Sequence, residues 1–198
     1  MPEARARDPS VDLDRLTHHT ELPHTLVSRA IDGLIRGVGE AMSWIWIALL
    51  GVIALNVTLR YAFGSGRIEL EELQWHLYSV GFLAGIPYAF AADAHIRVDV
   101  LRDRMSRRTQ AWIELYGILL LLLPFIALVI RFAAPFVGAS WSSGEISASP
   151  GGLPLRWLIK AALLAGFALL GLACVSRLLR VCSLLFGAPP AVDEPERS

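Results

Sequence analysis

Asp93, His95, Arg97 and Asp99 alternate with small or apolar residues where a long apolar run ends. A histidine set among carboxylates can relay protons or ligate an ion, and it can equally close a turn through hydrogen bonds. Glu71 and Glu72 open the same run, followed at once by Gln74 and Trp75. Carboxylates in a first helical turn favour the positive end of the helix dipole, and they can also present an acidic patch to a partner. Haem would need two axial ligands, yet His76 and His95 lie at opposite ends of the run, too far apart for one iron. Cys174 and Cys182 have no metal-ligand spacing; they read as small packing residues with no disulfide implied. No catalytic set, metal or cofactor is expected, and therefore no enzyme.

A proton-coupled exporter would hold a carboxylate at mid-depth, where the cost of burying it is justified by function. Glu40 instead falls at the edge of an apolar run, as do Glu114 and Lys160, and only Arg131 stands well inside one. Three readings of Arg131 stay open: its long stem reaches the headgroups, it pairs with Glu145, or it meets an acidic group on a partner.

The elements that must position these residues are four apolar stretches, at about 41–61, 73–92, 112–137 and 157–178. A bilayer core of about 30 Å needs about 20 helical residues, so each is long enough to cross. They are continuous rather than alternating, which indicates helices and not barrel strands. All six tryptophans (Trp44, Trp46, Trp75, Trp112, Trp141 and Trp157) lie near the ends of these runs, where indole prefers the headgroup layer. With 55% hydrophobic and 18% charged residues, the chain is lipid-embedded, and no nucleic-acid partner is expected. The fold class expected is all-α integral membrane, with four transmembrane helices and an N-terminal amphipathic interfacial helix.

Arginines flank three segments: Arg29 and Arg36 before the first run, Arg97, Arg102, Arg104, Arg107 and Arg108 between the second and third, Arg177 and Arg180 after the fourth. The opposite side holds Arg60, Arg67, Arg156 and Lys160 together with Glu69, Glu71, Glu72 and Glu145. The positive-inside bias therefore places both termini and the middle link in the cytoplasm. No removable signal peptide is visible, so the first run serves as its own signal anchor.

Residues 1–24 and 187–198 are expected to be disordered tails. Residues 25–38 carry Leu26, Val27, Ala30, Ile31, Leu34, Ile35 and Val38 at helical spacing, with Arg29, Asp32 and Arg36 on the other face. Two readings stay open, an amphipathic helix on the membrane surface and a plain extension of the first span. Asp32 and Arg36 are spaced for an i,i+4 pair. The four-helix domain then runs from 39 to 182. The link from Gly138 to Pro154 is rich in Ser, Gly and Pro and should form a compact ordered loop. The link from Asp93 to Ala111 mixes apolar residues with arginines and should lie against anionic headgroups. Gly81, Gly85 and Ala89 leave one stripe of the second run free of bulk, so that another helix can approach closely. Pro87 and Pro124 should bend the second and third spans.

Glu71 to Trp75, followed by His95, Ile96, Arg97, Val98 and Asp99, resembles the signature of the small membrane subunit of tripartite ATP-independent periplasmic (TRAP) transporters, the DctQ-like family. The likeness spans roughly residues 35 to 182 and extends to Trp141, Ser143, Gly144, Glu145, Ser147, the turn from Pro150 to Pro154, and Lys160. The resemblance implies a multi-pass protein of the bacterial inner membrane. It would brace a large multi-span permease subunit and help dock a periplasmic solute-binding protein, in uptake of a small organic solute, a carboxylate, driven by an ion gradient. By the same likeness the Gly81, Gly85, Ala89 stripe or a polar face near Asn56 would pack within the complex, and Glu71, Glu72 and Glu145 could line the docking surface. The alternative from another class is the membrane anchor of a respiratory oxidoreductase, and a third reading is a self-sufficient exporter.

Overall fold

The computed structural model describes residues 25–94 and 105–187. The tails and the link through His95, Arg97 and Asp99 lie outside the described residues. Within them the chain is helical, in the order α1 (Leu26–Phe63), α2 (Ile68–Ala91), α3 (Arg107–Tyr116), a π-helical segment (Gly117–Leu122), α4 (Leu123–Ser142) and α5 (Trp157–Phe186).

Several starts and stops have a local cause. Thr25 and Ser28 exchange hydrogen bonds, each side chain accepting from the other's backbone N–H at 3.1 and 3.0 Å, and this capping box opens α1. Gly64 ends the helix in the left-handed region at φ 65°, a conformation glycine adopts without a Cβ penalty. Ser106 caps α3 by accepting from the Thr109 N–H at 3.2 Å. α5 stops at Gly187, again left-handed.

Three stretches are long and apolar enough to cross a membrane: Leu26–Phe63, Arg107–Ser142 and Trp157–Phe186. α2 has 24 residues and is not among them; glutamates occupy its first turns, and Gln74 and His76 follow. All these helices outrun the apolar stretches legible in the sequence. Hydropathy marks where lipid is tolerated, whereas a helix continues until its backbone bonding is capped.

α1 packs on α2, and α5 is the hub against which α1, α2, α3 and α4 all rest. Successive helices alternate in direction, so the chain has a turn end, with Gly64 and residues 143–156, and a tail end, with Thr25, Asp93, Ser106 and Gly187. The core forms around α5: Ile118, Ile126, Leu170 and Cys174 are buried together, flanked by Ile86, Phe90 and Phe167. At the tail end Ala111 and Val181 pack with Leu115 and Leu185. Two glycines permit close approach. A Cβ on Gly166 would lie 3.0 Å from the Leu83 carbonyl oxygen, and one on Gly81 would lie 3.2 Å from the Trp46 ring.

Residues 25–38 are the first turns of α1, with no break at 38, so they form no separate element. Their buried side mixes polar and apolar residues. Ser28, Asp32 and Ile35 are buried, whereas Leu26, Val27 and Leu34 are exposed. Asp32 accordingly does not pair with Arg36. Its carboxylate accepts from Ser176 Oγ on α5 at 2.6 Å and lies 3.7 Å from Arg180 Nη1. The packing of α1 on α5 turns Asp32 inward with Ser28 and Ile35 and leaves Leu26, Val27 and Leu34 outside.

Just before Pro124 the helix widens. Proline has no N–H to bond the carbonyl four residues back, and its ring crowds that group. The π-helical segment Gly117–Leu122 relieves this, with the Leu123 N–H reaching back five residues to the Ile118 carbonyl. The buried residues of this stretch are Ala111, Ile118, Ile126, Ala133 and Ser140. Their spacing is seven, eight, seven and seven, and the eight spans the wide turn.

Candidate functional site

Polar side chains concentrate at the two ends of the bundle. At the turn end, the acidic first turns of α2 meet the loop that joins α4 to α5. The Glu72 carboxylate accepts from the Leu153 N–H at 2.7 Å and from Ser147 Oγ. Ser147 also receives Arg156 Nη1 at 3.3 Å and the Ser149 N–H at 3.3 Å. The loop closes on itself through the Ser147 N–H to the Leu153 carbonyl, 3.1 Å, and the Gly152 N–H to the Ser149 carbonyl, 2.9 Å. The expected compact loop is thus present, and one carboxylate from α2 holds it. A Cβ at Gly152 would collide with Ser147 and come within 3.0 Å of Glu72 Oε1, so only glycine fits where loop and helix touch.

A second tie lies beside the first. Lys160, in the first turn of α5, donates to Glu145, whose other oxygen lies 3.8 Å from Arg156 Nε. The Lys160 ammonium sits 3.8 Å above the Phe136 ring centre, so an aromatic face covers a largely buried cation. The hydrogen bond from Lys160 holds the Glu145 carboxyl below its ordinary range. A third tie joins Arg60 of α1 to Glu71 of α2.

Glu71, Glu72 and Glu145 are therefore brought to one face, each engaged with a partner inside the chain. Trp75 is exposed beside them. Arg131 does not join them, because Glu145 is held by Lys160 and Arg156. Arg131 is exposed and makes no ion pair among the described residues. The stripe of Gly81, Gly85 and Ala89 is divided. Gly81 is buried against Trp46 and Ile45 of α1, whereas a Cβ on Gly85 would meet open space and Ala89 is half-buried.

At the tail end sits a cluster not anticipated from the sequence. Arg177 of α5, 5% exposed, donates Nε to Glu114 of α3 and places Nη2 3.3 Å from Asp93 Oδ1 beyond the end of α2. Ser176, next to Arg177 in sequence, donates to Asp32 of α1, and Arg180, about one turn nearer the tail end, lies 3.7 Å from the same carboxylate. Four helical segments thus converge on one buried network of three carboxylates and two guanidiniums. The signal available beforehand was topological. Alternating helix directions place 32, 93, 114 and 177 at the same end, and charges kept there at the edge of lipid have reason to pair.

Among the described residues no group of three or more His, Cys, Asp and Glu is arranged to hold a metal ion. His76 bonds through Nδ1 to the Glu72 carbonyl, 2.6 Å, within its own helix. The arrangement fastens helices and a loop and presents surfaces. α1, α4 and parts of α2 and α5 leave Trp44, Leu50, Phe125, Phe132 and many other large apolar side chains exposed, which suits lipid or another membrane protein.

The family described as "Tripartite ATP-independent periplasmic transporters, DctQ component" matches residues 49–184. No curated protein matches the chain.

Proposed function

Since the chain belongs to the DctQ component family of tripartite ATP-independent periplasmic transporters, and is thus a membrane-spanning transporter component, we propose how this small permease subunit does its work. It lies in the bacterial inner membrane with α1, α2, the helix from Arg107 to Ser142, and α5 all spanning, and with both termini in the cytoplasm. The turn end faces the periplasm. Charge supports this orientation. The arginines flanking the tail end outnumber the basic residues at the turn end, and three of the latter, Arg60, Arg156 and Lys160, lie beside the two carboxylates of Glu71 and Glu145.

The single observation that carries the reading is where the ionisable groups lie. Among the described residues they knot the helices together at the two ends and leave the interior of the apolar stretches bare except for Arg131. A subunit so built is a brace. It holds the stationary part of a large permease subunit, which carries the solute and ion sites, and its fastened loop from Ser143 to Arg156 helps receive a periplasmic solute-binding protein. The solute is a small organic molecule, a carboxylate, taken up at the expense of an ion gradient. Gly85, with open space beside it, and Arg131 are the positions within the bilayer best placed to touch the large subunit.

The test is co-purification and reconstitution. This chain should elute as a stable complex with a large multi-span permease, and liposomes should take up solute only when both and the binding protein are present. Solute flux through this chain alone, or a bound quinone or Soret absorbance, would overturn the assignment.

A further inference from the structure

At the turn end a pocket of about 330 Å³ opens between α1 and α2. Asn56, 6% exposed, lines it, and the Asn56 Oδ1 is buried without a hydrogen-bond partner. Across the pocket Gln74 Nε2 is in the same condition. A buried amide group left unpaired costs about 1–3 kcal/mol, so two on residues that line one pocket point to an occupant that, once these side chains turn toward it, supplies both a donor and an acceptor. The ion pair of Arg60 and Glu71 lies at the rim with half of each side chain still accessible. Tyr61 and Trp75 border the mouth, 82% and 70% exposed.

These groups describe a ligand. It has a hydrogen-bonding cation for Asn56 Oδ1 and the Glu71 carboxylate, an anionic oxygen for Gln74 Nε2 and the Arg60 guanidinium, and no net charge. Exposed tyrosine and tryptophan mark headgroup depth. One turn further into the apolar part of α1, Ile53 remains accessible for an acyl chain. We propose that this pocket binds the headgroup of a phospholipid bearing a primary ammonium, of the phosphatidylethanolamine type, from the leaflet at the turn end. A quaternary ammonium has no N–H for Asn56, and a headgroup carrying only negative charge would face Glu71 without compensation. The inference needs the chain to sit in lipid but not the transporter assignment, so either can fail alone.

The experiment uses the full chain, delipidated in detergent and exchanged into equal parts phosphatidylethanolamine, phosphatidylcholine and phosphatidylglycerol, with retained lipid weighed by native mass spectrometry. Phosphatidylethanolamine should be retained about tenfold over phosphatidylcholine, the factor one lost hydrogen bond confers. Asn56→Leu and Gln74→Leu should each abolish that preference while keeping helical content and a single elution peak. If Asn56→Leu does not fold, Gln74→Leu and the lipid comparison on the unaltered chain still decide. Equal retention of the two zwitterionic lipids, or an undiminished preference in a folded variant, overturns the proposal. So does a photo-crosslinker at Tyr61 that captures another protein in membranes in place of lipid.

Discussion

Arg177 donates its Nε to the Glu114 carboxylate across the contact between α5 and α3, both side chains largely withdrawn from solvent. A buried guanidinium is expensive to desolvate and is tolerated because carboxylates surround it, here Glu114 with Asp93 alongside. Arg177→Met leaves two buried carboxylates facing each other and should lower stability by about 3–5 kcal/mol. Thermal unfolding in detergent measures it. Arg177→Met combined with Glu114→Gln should lose clearly less than the two separate losses together, since the residues share one interaction.

Glu72→Gln should release the loop rather than unfold the bundle. A neutral amide offers one acceptor where the carboxylate serves both the Leu153 N–H and Ser147 Oγ, and its own NH₂ would oppose a donor. The loss should be confined to residues 145–155. Faster amide exchange at Leu153, with unchanged exchange in α5, is the expected record, and uniform acceleration everywhere would refute a local role.

Gly81 and Gly85 should part company. Gly81→Leu drives a side chain into the Trp46 ring and should cost the isolated chain about 1–3 kcal/mol. Gly85→Leu meets open space within the chain and should leave its melting unchanged. If the Gly85 side of α2 touches the large subunit, that second variant should still weaken co-purification. Normal assembly of Gly85→Leu would remove this position from the interface.

The hydrogen bond from Lys160 depresses the Glu145 carboxyl, so acid should loosen the loop at its second tie. A carboxylate with a lowered folded-state value contributes stability that is complete above its ordinary value of 4.5 and fades as pH falls through the depressed one. Protease cleavage within the loop should therefore be slow at neutral pH and rise in the acid range. Glu145→Gln should show the acid behaviour at every pH.

Much of this architecture was legible beforehand. Apolar runs and flanking tryptophans report the solvent around a helix, and the clustered Ser, Gly and Pro of residues 142–154 specify turns locally. What could not be read were pairings across long separations. Nothing near Glu72 announces Leu153, and nothing near Asp32 announces Ser176, because each contact depends on how two helices rotate about their axes. Asp32 shows the limit well. Local spacing offers Arg36 as partner, while the packing of α1 on α5 turns the carboxylate the other way. Arg131 is the converse, since its isolation became visible only once Lys160 and Arg156 were found holding Glu145.

The wide turn at Gly117–Leu122 ties the length of the third apolar helix to one imino acid. A lone deletion of Leu121 would draw the backbone into ordinary α geometry and press the Pro124 ring against the carbonyl it now avoids. Deleting Leu121 together with Pro124→Leu removes the surplus residue and the reason for it at once. Ile126, Ala133 and Ser140 should then still look toward α5. A shortened chain of that kind should be folded where the simple deletion is not.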